Sequence, residues 1–176
     1  ANNSVCYTEK PDIGIFMREW VSLYESKSGE RGIFNRKAVQ DMAPQRRDNT
    51  QEFGTNPCSE INLLSLETCN LSECVLRPTD TIDDVSRKVA NATILGTFQS
   101  TLTNFRYVRP IWRKNVEEER LLGVSFTGVY DCPVVLNASP EQLTAWKGHA
   151  VATNLQWAKK LKIPQSVAVT CIKPSG

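Results

Sequence analysis

The stretch from residue 123 to residue 172 opens with Gly123-Val124-Ser125-Phe126-Thr127-Gly128, continues through Ser139-Pro140-Glu141-Gln142 and closes on Ser166-Val167-Ala168-Val169-Thr170-Cys171-Ile172. The first piece is a short apolar run bounded by glycines and reads as a strand. The second is a capping box with proline at the first helical position. The helix it opens carries Leu143, Trp146, Ala150, Trp157 and Leu161 at helical spacing, so one face is apolar. The third piece is apolar almost throughout, as a strand covered on both faces must be. Strand, helix and buried strand in succession predict an α/β fold with a parallel sheet under helices, open or closed into a barrel. Ligands of such folds sit at the carboxyl ends of the strands, where Lys173-Pro174-Ser175-Gly176 falls.

Working outward, the firmest further helix follows Thr81, a plausible cap, with Asp83 and Asp84 in the dipole-favourable first turn and a stripe of Val85, Val89, Ala92, Leu95, Phe98 and Leu102. Ser4-Val5-Cys6-Tyr7 reads as a short strand. Pro11 then starts a helix whose apolar residues are Ile13, Phe16, Met17, Trp20 and Tyr24. Gly29 to Gly32 breaks the chain, Phe34 to Met42 reads as another short helix ended by Pro44, and polar Gln45 to Gly54 as exposed loop. Without repeats or linkers, residues 1–176 read as one continuous piece of a domain. The Ala start and the closing Pro-Ser-Gly are expected to be cut ends.

Composition narrows the function. Forty per cent of the 176 residues are apolar and 23% charged, as in an ordinary globular domain. No apolar run approaches the roughly 18 residues that cross a bilayer, and the basic-then-apolar order of a signal peptide is missing, so a cytoplasmic location is expected. A net charge of +2 is too balanced to imply a nucleic-acid-coating or membrane-surface role. Six cysteines lie at positions 6, 58, 69, 74, 132 and 171. A chain of this length needs no disulfide staples. One histidine and no Cys-x-x-Cys pair argue against zinc, and no metal ligands are assigned. Packing is the default reading of any one cysteine.

The chemical centre is Thr55-Asn56-Pro57-Cys58-Ser59-Glu60-Ile61, followed by Thr68-Cys69-Asn70-Leu71-Ser72-Glu73-Cys74. If Asn56 to Glu60 is extended, the two-residue period puts Asn56, Cys58 and Glu60 on one face. The amide can donate and accept, the carboxylate can take a proton, and the sulfur can act as nucleophile or one-electron centre. A nucleophilic cysteine wants a base or a nearby cation. The single histidine, His149, lies inside a helix and reads as a partly buried helical residue. A carboxylate two residues away disfavours the thiolate, which suits hydrogen-atom chemistry better than acyl transfer.

Asn56-Pro57-Cys58-Ser59-Glu60-Ile61 with Cys69-Asn70-Leu71 resembles the finger loop of ribonucleotide reductases, especially the adenosylcobalamin-dependent class. Ala1-Asn2-Asn3-Ser4-Val5, Gly29-Glu30-Arg31-Gly32-Ile33-Phe34-Asn35-Arg36, Leu122 to Gly128 and Ile172 to Gly176 resemble further stretches of that family, in its order. Ile61 after the glutamate, and Gly32-Ile33-Phe34-Asn35, resemble the monomeric type that reduces ribonucleoside triphosphates. The resemblance implies a central section of a ten-stranded α/β barrel with a cysteine-bearing finger loop inside it. It implies that Cys58 becomes a thiyl radical and removes the ribose 3′-hydrogen. Glu60 takes the 3′-hydroxyl proton, Asn56 binds the substrate hydroxyls, and Cys69 is one of two reducing thiols. The loop at Ser175 and Gly176 would hold substrate phosphate.

The cofactor implied is adenosylcobalamin. The partners implied are a ribonucleotide substrate, thioredoxin or a similar dithiol, and a deoxynucleotide effector of the full-length protein, with no nucleic acid and no membrane. The second reducing cysteine, the allosteric region and the C-terminal cysteine pair are expected outside this chain. Cys6, Cys74, Cys132 and Cys171 are left to packing. The rival readings are a reductase of the same family using a metal-containing subunit, a nucleotide-binding module without chemistry, and a thiol hydrolase, which lacks a credible base.

Overall fold

Asp12, one residue after Pro11, begins the first helix: its Oδ1 accepts the N–H groups of Gly14 (2.8 Å) and Ile15 (3.2 Å), satisfying donors that a helix start leaves open. The proline expected at the first helical position therefore stands just outside it. The computed structural model describes residues 4–28 and 32–174, and the chain divides into two compact units, Ala1–Ser65 and Leu66–Gly176.

In the first unit, β1 (Val5–Tyr7), α1 (Ile13–Ser26) and β2 (Ile33–Asn35) form a βαβ unit, with Val5, Cys6 and Tyr7 paired in parallel to Ile33, Phe34 and Asn35. Phe34, expected in a helix, is thus a strand residue. The helix after it, α2 (Arg36–Asp41), starts only where the Asn35 side chain accepts the Ala38 N–H at 2.9 Å. A two-rung antiparallel hairpin follows, β3 (Gly54–Thr55) with β4 (Asn62–Leu63). The polar run before it is not all exposed loop. Phe53 is 0% and Arg47 7% exposed, because the Arg47 guanidinium lies 4.5 Å over the Phe53 ring and gains a carbonyl acceptor on Asn62. Asp48 organises the surface part of the run by accepting from Thr50 and the Gln51 amide.

The second unit contains β5 (Asn70–Val75), α3 (Ile82–Gln99), α4 (Pro110–Glu119), β6 (Leu122–Thr127), α5 (Pro133–Leu136) and α6 (Pro140–Leu161). β5 and β6 run parallel from Asn70↔Leu122 to Val75↔Thr127. Thr81 caps α3 in a reciprocal box with Asp84, a device worth about 1 kcal/mol. The buried face of α3 keeps Val85, Val89 and Ala92 but then shifts to Thr93, Gly96 and Thr97, leaving Leu95, Phe98 and Leu102 exposed. Gly96 is the physical reason. A Cβ there would stand 3.3 Å from Ser72 Oγ and 3.4 Å from Leu122 Cδ2, so its absence lets the helix settle on the sheet along that edge.

The Ser139 side chain accepts the Gln142 N–H at 3.3 Å at the start of α6, the serine half of the expected capping box. The buried face of α6 is Trp146, Ala150, Thr153, Asn154 and Ala158; Leu143 and His149 are exposed, so His149 is not the partly buried residue expected. Asn154 is fully buried yet satisfied, donating to Thr97 Oγ1 and Ser166 Oγ and accepting the Ser166 N–H. Residues 166–172 run beside β6 in parallel, but less regularly than a strand. Leu122 and Val124, two residues apart, donate to the adjacent carbonyls of Ala168 and Val169, and one bridge, Val124 to Thr170, remains. The α/β class holds in both units. None of the described helices is long and apolar enough to cross a membrane.

Candidate active site

Cys58 sits in the six-residue connection, residues 56–61, between β3 and β4. The residues expected to be extended form a turn. The Asn56 carbonyl accepts the Ser59 N–H at 3.0 Å across Pro57 and Cys58, and Ser59 takes φ 64°, a left-handed conformation costing roughly 1–2 kcal/mol for a residue with a Cβ. The Ile61 N–H does not join the Ser59 N–H on that carbonyl. It donates instead to Asn56 Oδ1 at 3.1 Å, while the Asn56 N–H donates to the Ile61 carbonyl at 3.2 Å. Asn56 therefore clasps the loop at its neck, and strand alternation is not what relates Asn56, Cys58 and Glu60.

The loop separates its side chains by exposure. Pro57, Cys58 and Ser59 are exposed, Asn56 and Glu60 half-buried, and Ile61 buried. Both carboxylate oxygens of Glu60 are buried and have no hydrogen-bond partner among the described residues. Burying a carboxylate without donors is costly, and folds retain such groups where a ligand completes them. The clasp makes a separable prediction about Asn56. Asn56→Asp keeps the acceptor for Ile61 and loses the amide donor, whereas Asn56→Ala loses both. In the full-length protein, amide hydrogen exchange in the peptide carrying Ile61 should accelerate about fivefold for the alanine variant and stay near wild type for the aspartate variant. Equal acceleration in both would remove the clasp.

The remaining cysteines fall in distinct environments. Cys69 is half-buried directly before β5, where Asn70 donates to the Leu121 carbonyl through both its backbone N–H and its side-chain amide. Cys74, on β5 itself, is 2% exposed, and burial pushes its thiol up to about 11, against the pull of Lys88 and with a small push from Glu73. From the ordinary 9.0 to about 11, the thiolate fraction near pH 8 falls about a hundredfold. Iodoacetamide at pH 8 should therefore label exposed Cys58 long before Cys74, read by peptide mass spectrometry; comparable labelling of Cys74 would contradict its buried setting. Cys132 is fully buried, and Cys6 and Cys171 are half-buried.

Ser175 and Gly176, expected to hold phosphate, lie outside the described residues, as do Ala1–Asn3 and Gly29–Arg31 of the resembling stretches. Their approach is visible up to Lys173, whose N–H donates to Ser125 Oγ at 2.9 Å. Ser125 is 2% exposed on β6. The sequence reading passed over it, although a hydroxyl inside an apolar strand was the available signal. Beside it a cavity of about 370 Å³ is lined by Val124–Phe126 of β6, Trp146 and Lys147 of α6, and Thr170–Ile172. Cys58, Glu60, Asn56 and Cys69 do not line it.

No protein-family model matches the chain. It is 30% identical over 162 residues to the adenosylcobalamin-dependent ribonucleoside-triphosphate reductase of Euglena gracilis, covering 85% of this chain and 21% of that protein. It is 28% identical over 160 residues to the probable enzyme of the same description from Dictyostelium discoideum, covering 88% and 20%. The corresponding protein of Lacticaseibacillus paracasei is 30% identical over 117 residues, covering 63% and 15%. The chain belongs to the ribonucleotide reductase family. It spans 15–21% of the length of these reductases. The fold agrees: the crystal structure of a B12-dependent class II ribonucleotide reductase superposes with a TM-score of 0.70 at 22% identity, over 99% of this chain and 28% of that reductase.

Proposed function

We propose that the chain is the part of an adenosylcobalamin-dependent ribonucleoside-triphosphate reductase that carries the radical-bearing loop, within a ten-stranded α/β barrel completed by the rest of the protein. The observation that supports this most directly is the pairing, in one six-residue loop, of an exposed thiol with a buried carboxylate that has no hydrogen-bond partner among the described residues. Cys58 is accessible to a radical generator, and the Glu60 oxygens, without a hydrogen-bond donor among the described residues, leave both acceptor positions for a substrate hydroxyl. A sulfhydryl presented without an adjoining histidine suits hydrogen-atom transfer, and exposure at a loop tip suits approach by a bulky cofactor. Adenosylcobalamin, when bound, supplies the one-electron chemistry that removes the Cys58 hydrogen atom.

The chain's own residues then act in sequence. The Cys58 sulfur takes the ribose 3′-hydrogen, and Glu60 accepts the 3′-hydroxyl proton as the 2′-hydroxyl leaves as water. Asn56 donates through its side-chain amide to a substrate hydroxyl, since its Oδ1 is engaged by Ile61. Cys69 and a second cysteine elsewhere in the protein give two electrons and two protons, replacing C–OH by C–H and leaving a disulfide. Cys58 returns its hydrogen to C3′, and Glu60 returns its proton to the 3′-oxygen, which restores both groups. Ser175 and Gly176 bind the substrate phosphates, thioredoxin or a similar dithiol reopens the disulfide, and a deoxynucleotide effector acts on the full-length protein in the cytoplasm. The full-length protein supplied with adenosylcobalamin, a ribonucleoside triphosphate and a dithiol should form the deoxynucleotide. Product only with diphosphates would reject the substrate assignment, and product only with an added metal-containing subunit would reject the cofactor.

A further inference from the structure

The hairpin that presents Cys58 has two rungs, Gly54↔Leu63 and Thr55↔Asn62, and a two-stranded ribbon of that size does not hold its own geometry in water. Its tip is exposed, so little packing there fixes the sulfur. What fixes the ribbon lies at its base. Arg47 donates from Nη1 to the Asn62 carbonyl of β4 at 2.7 Å, and the same guanidinium covers the ring of Phe53, the residue entering β3, at 4.5 Å. The Phe53 carbonyl in turn accepts Arg36 Nε at 2.7 Å, and the neighbouring Gln51 carbonyl accepts the Gln40 amide at 3.0 Å, so α2 backs the strand that Arg47 grips. One nearly buried planar cation thus ties β4 to the residue that leads into β3.

We propose that Arg47 is a positioning residue for the Cys58 thiol, setting the loop's angle from its base. This rests on the reading of Cys58 as the hydrogen-abstracting group. Cys58 lies beyond the last rung of the hairpin, Thr55↔Asn62, so a tilt at the base carries the sulfur with it, and a 1 Å misplacement of a reacting atom costs about 100-fold. The device needs a planar fork that stacks and donates in one fixed geometry; a lysine ammonium supplies a point charge without a stacking plane.

The test uses the full-length protein with adenosylcobalamin, ribonucleotide and dithiol, comparing wild type with Arg47→Ala, Arg47→Lys and Phe53→Leu. The expected result is a kcat lowered about 10- to 100-fold in Arg47→Ala and Arg47→Lys with KM changed less than about twofold. Guanidinium ion should restore part of the alanine variant's rate. Iodoacetamide labelling of Cys58 should change severalfold in all three variants while Cys74 stays protected. Wild-type kcat in Arg47→Ala would overturn the proposal, as would rate loss matched by loss of Cys74 protection, the mark of general unfolding. If Arg47→Ala does not fold, wild-type kcat and Cys58 labelling in Arg47→Lys and Phe53→Leu overturn it equally. A wild-type protein that makes no deoxynucleotide would sink the reductase reading instead, while the Cys58 labelling rates still decide whether Arg47 controls the loop.

Discussion

Cys58→Ser in the full-length protein is expected to abolish deoxynucleotide formation, by about 10⁴-fold or more, the scale on which removal of one essential member disables a catalytic unit. The reason is bond strength. A serine O–H bond is far stronger than a cysteine S–H bond, so a hydroxyl cannot give up and regain a hydrogen atom at a rate that sustains turnover. Structure adds the control: Cys58 is exposed at a loop tip, and serine changes one atom there, so thermal unfolding should be unchanged. The measurement is product formation per enzyme beside a melting curve. Turnover within tenfold of wild type would reject the thiyl role.

Glu60→Gln should lower the rate about 10²- to 10⁴-fold, the usual contribution of a positioned general base, without destabilising the protein. Stability should hold or rise, because a neutral amide replaces a carboxylate whose two oxygens are buried without donors among the described residues. Few residues show that combination. A structural carboxylate would lose stability with its charge partner, and a surface one would lose neither property. Rate assays and unfolding curves on one preparation decide the matter: lost stability with a retained rate would show that Glu60 serves the fold rather than the reaction.

The loop was legible in its chemistry and misread in its shape. Asn56, Pro57, Cys58 and Glu60 stand out by residue type, but the two-residue period assumed a strand. The chain turns because Pro57 suits the second position of a turn and Asn56 can satisfy two demands at once, its carbonyl closing the turn and its amide oxygen capturing Ile61. The apolar stripe of α3 failed in the same way. Periodicity identified the helix, but Gly96 and two threonines displaced Leu95 from the buried face, since close approach to Ser72 and Leu122 favoured the residues without bulk. Segment 166–172 reads as a buried strand from its apolar run, but it forms a single bridge to β6, because its irregular register depends on a distant neighbour and lies beyond any local pattern.

The sequence by itself determined what depends on neighbours along the chain. The caps at Thr81 and Ser139, the proline-started α6, the parallel α/β class and the reactive residue types all follow from donors, acceptors and apolar spacing within a few positions. Only the tertiary structure decided which side chains lose water. It buried Phe53 and Arg47 inside a polar run, left α1 with Ile13, Met17, Trp20 and Tyr24 exposed, and buried the Glu60 carboxylate without a partner among the described residues while keeping Cys58 at the surface. Burial is set by what distant segments bring to a point, and a carboxylate, a thiol or an arginine has the same local signature whether that point is wet or dry.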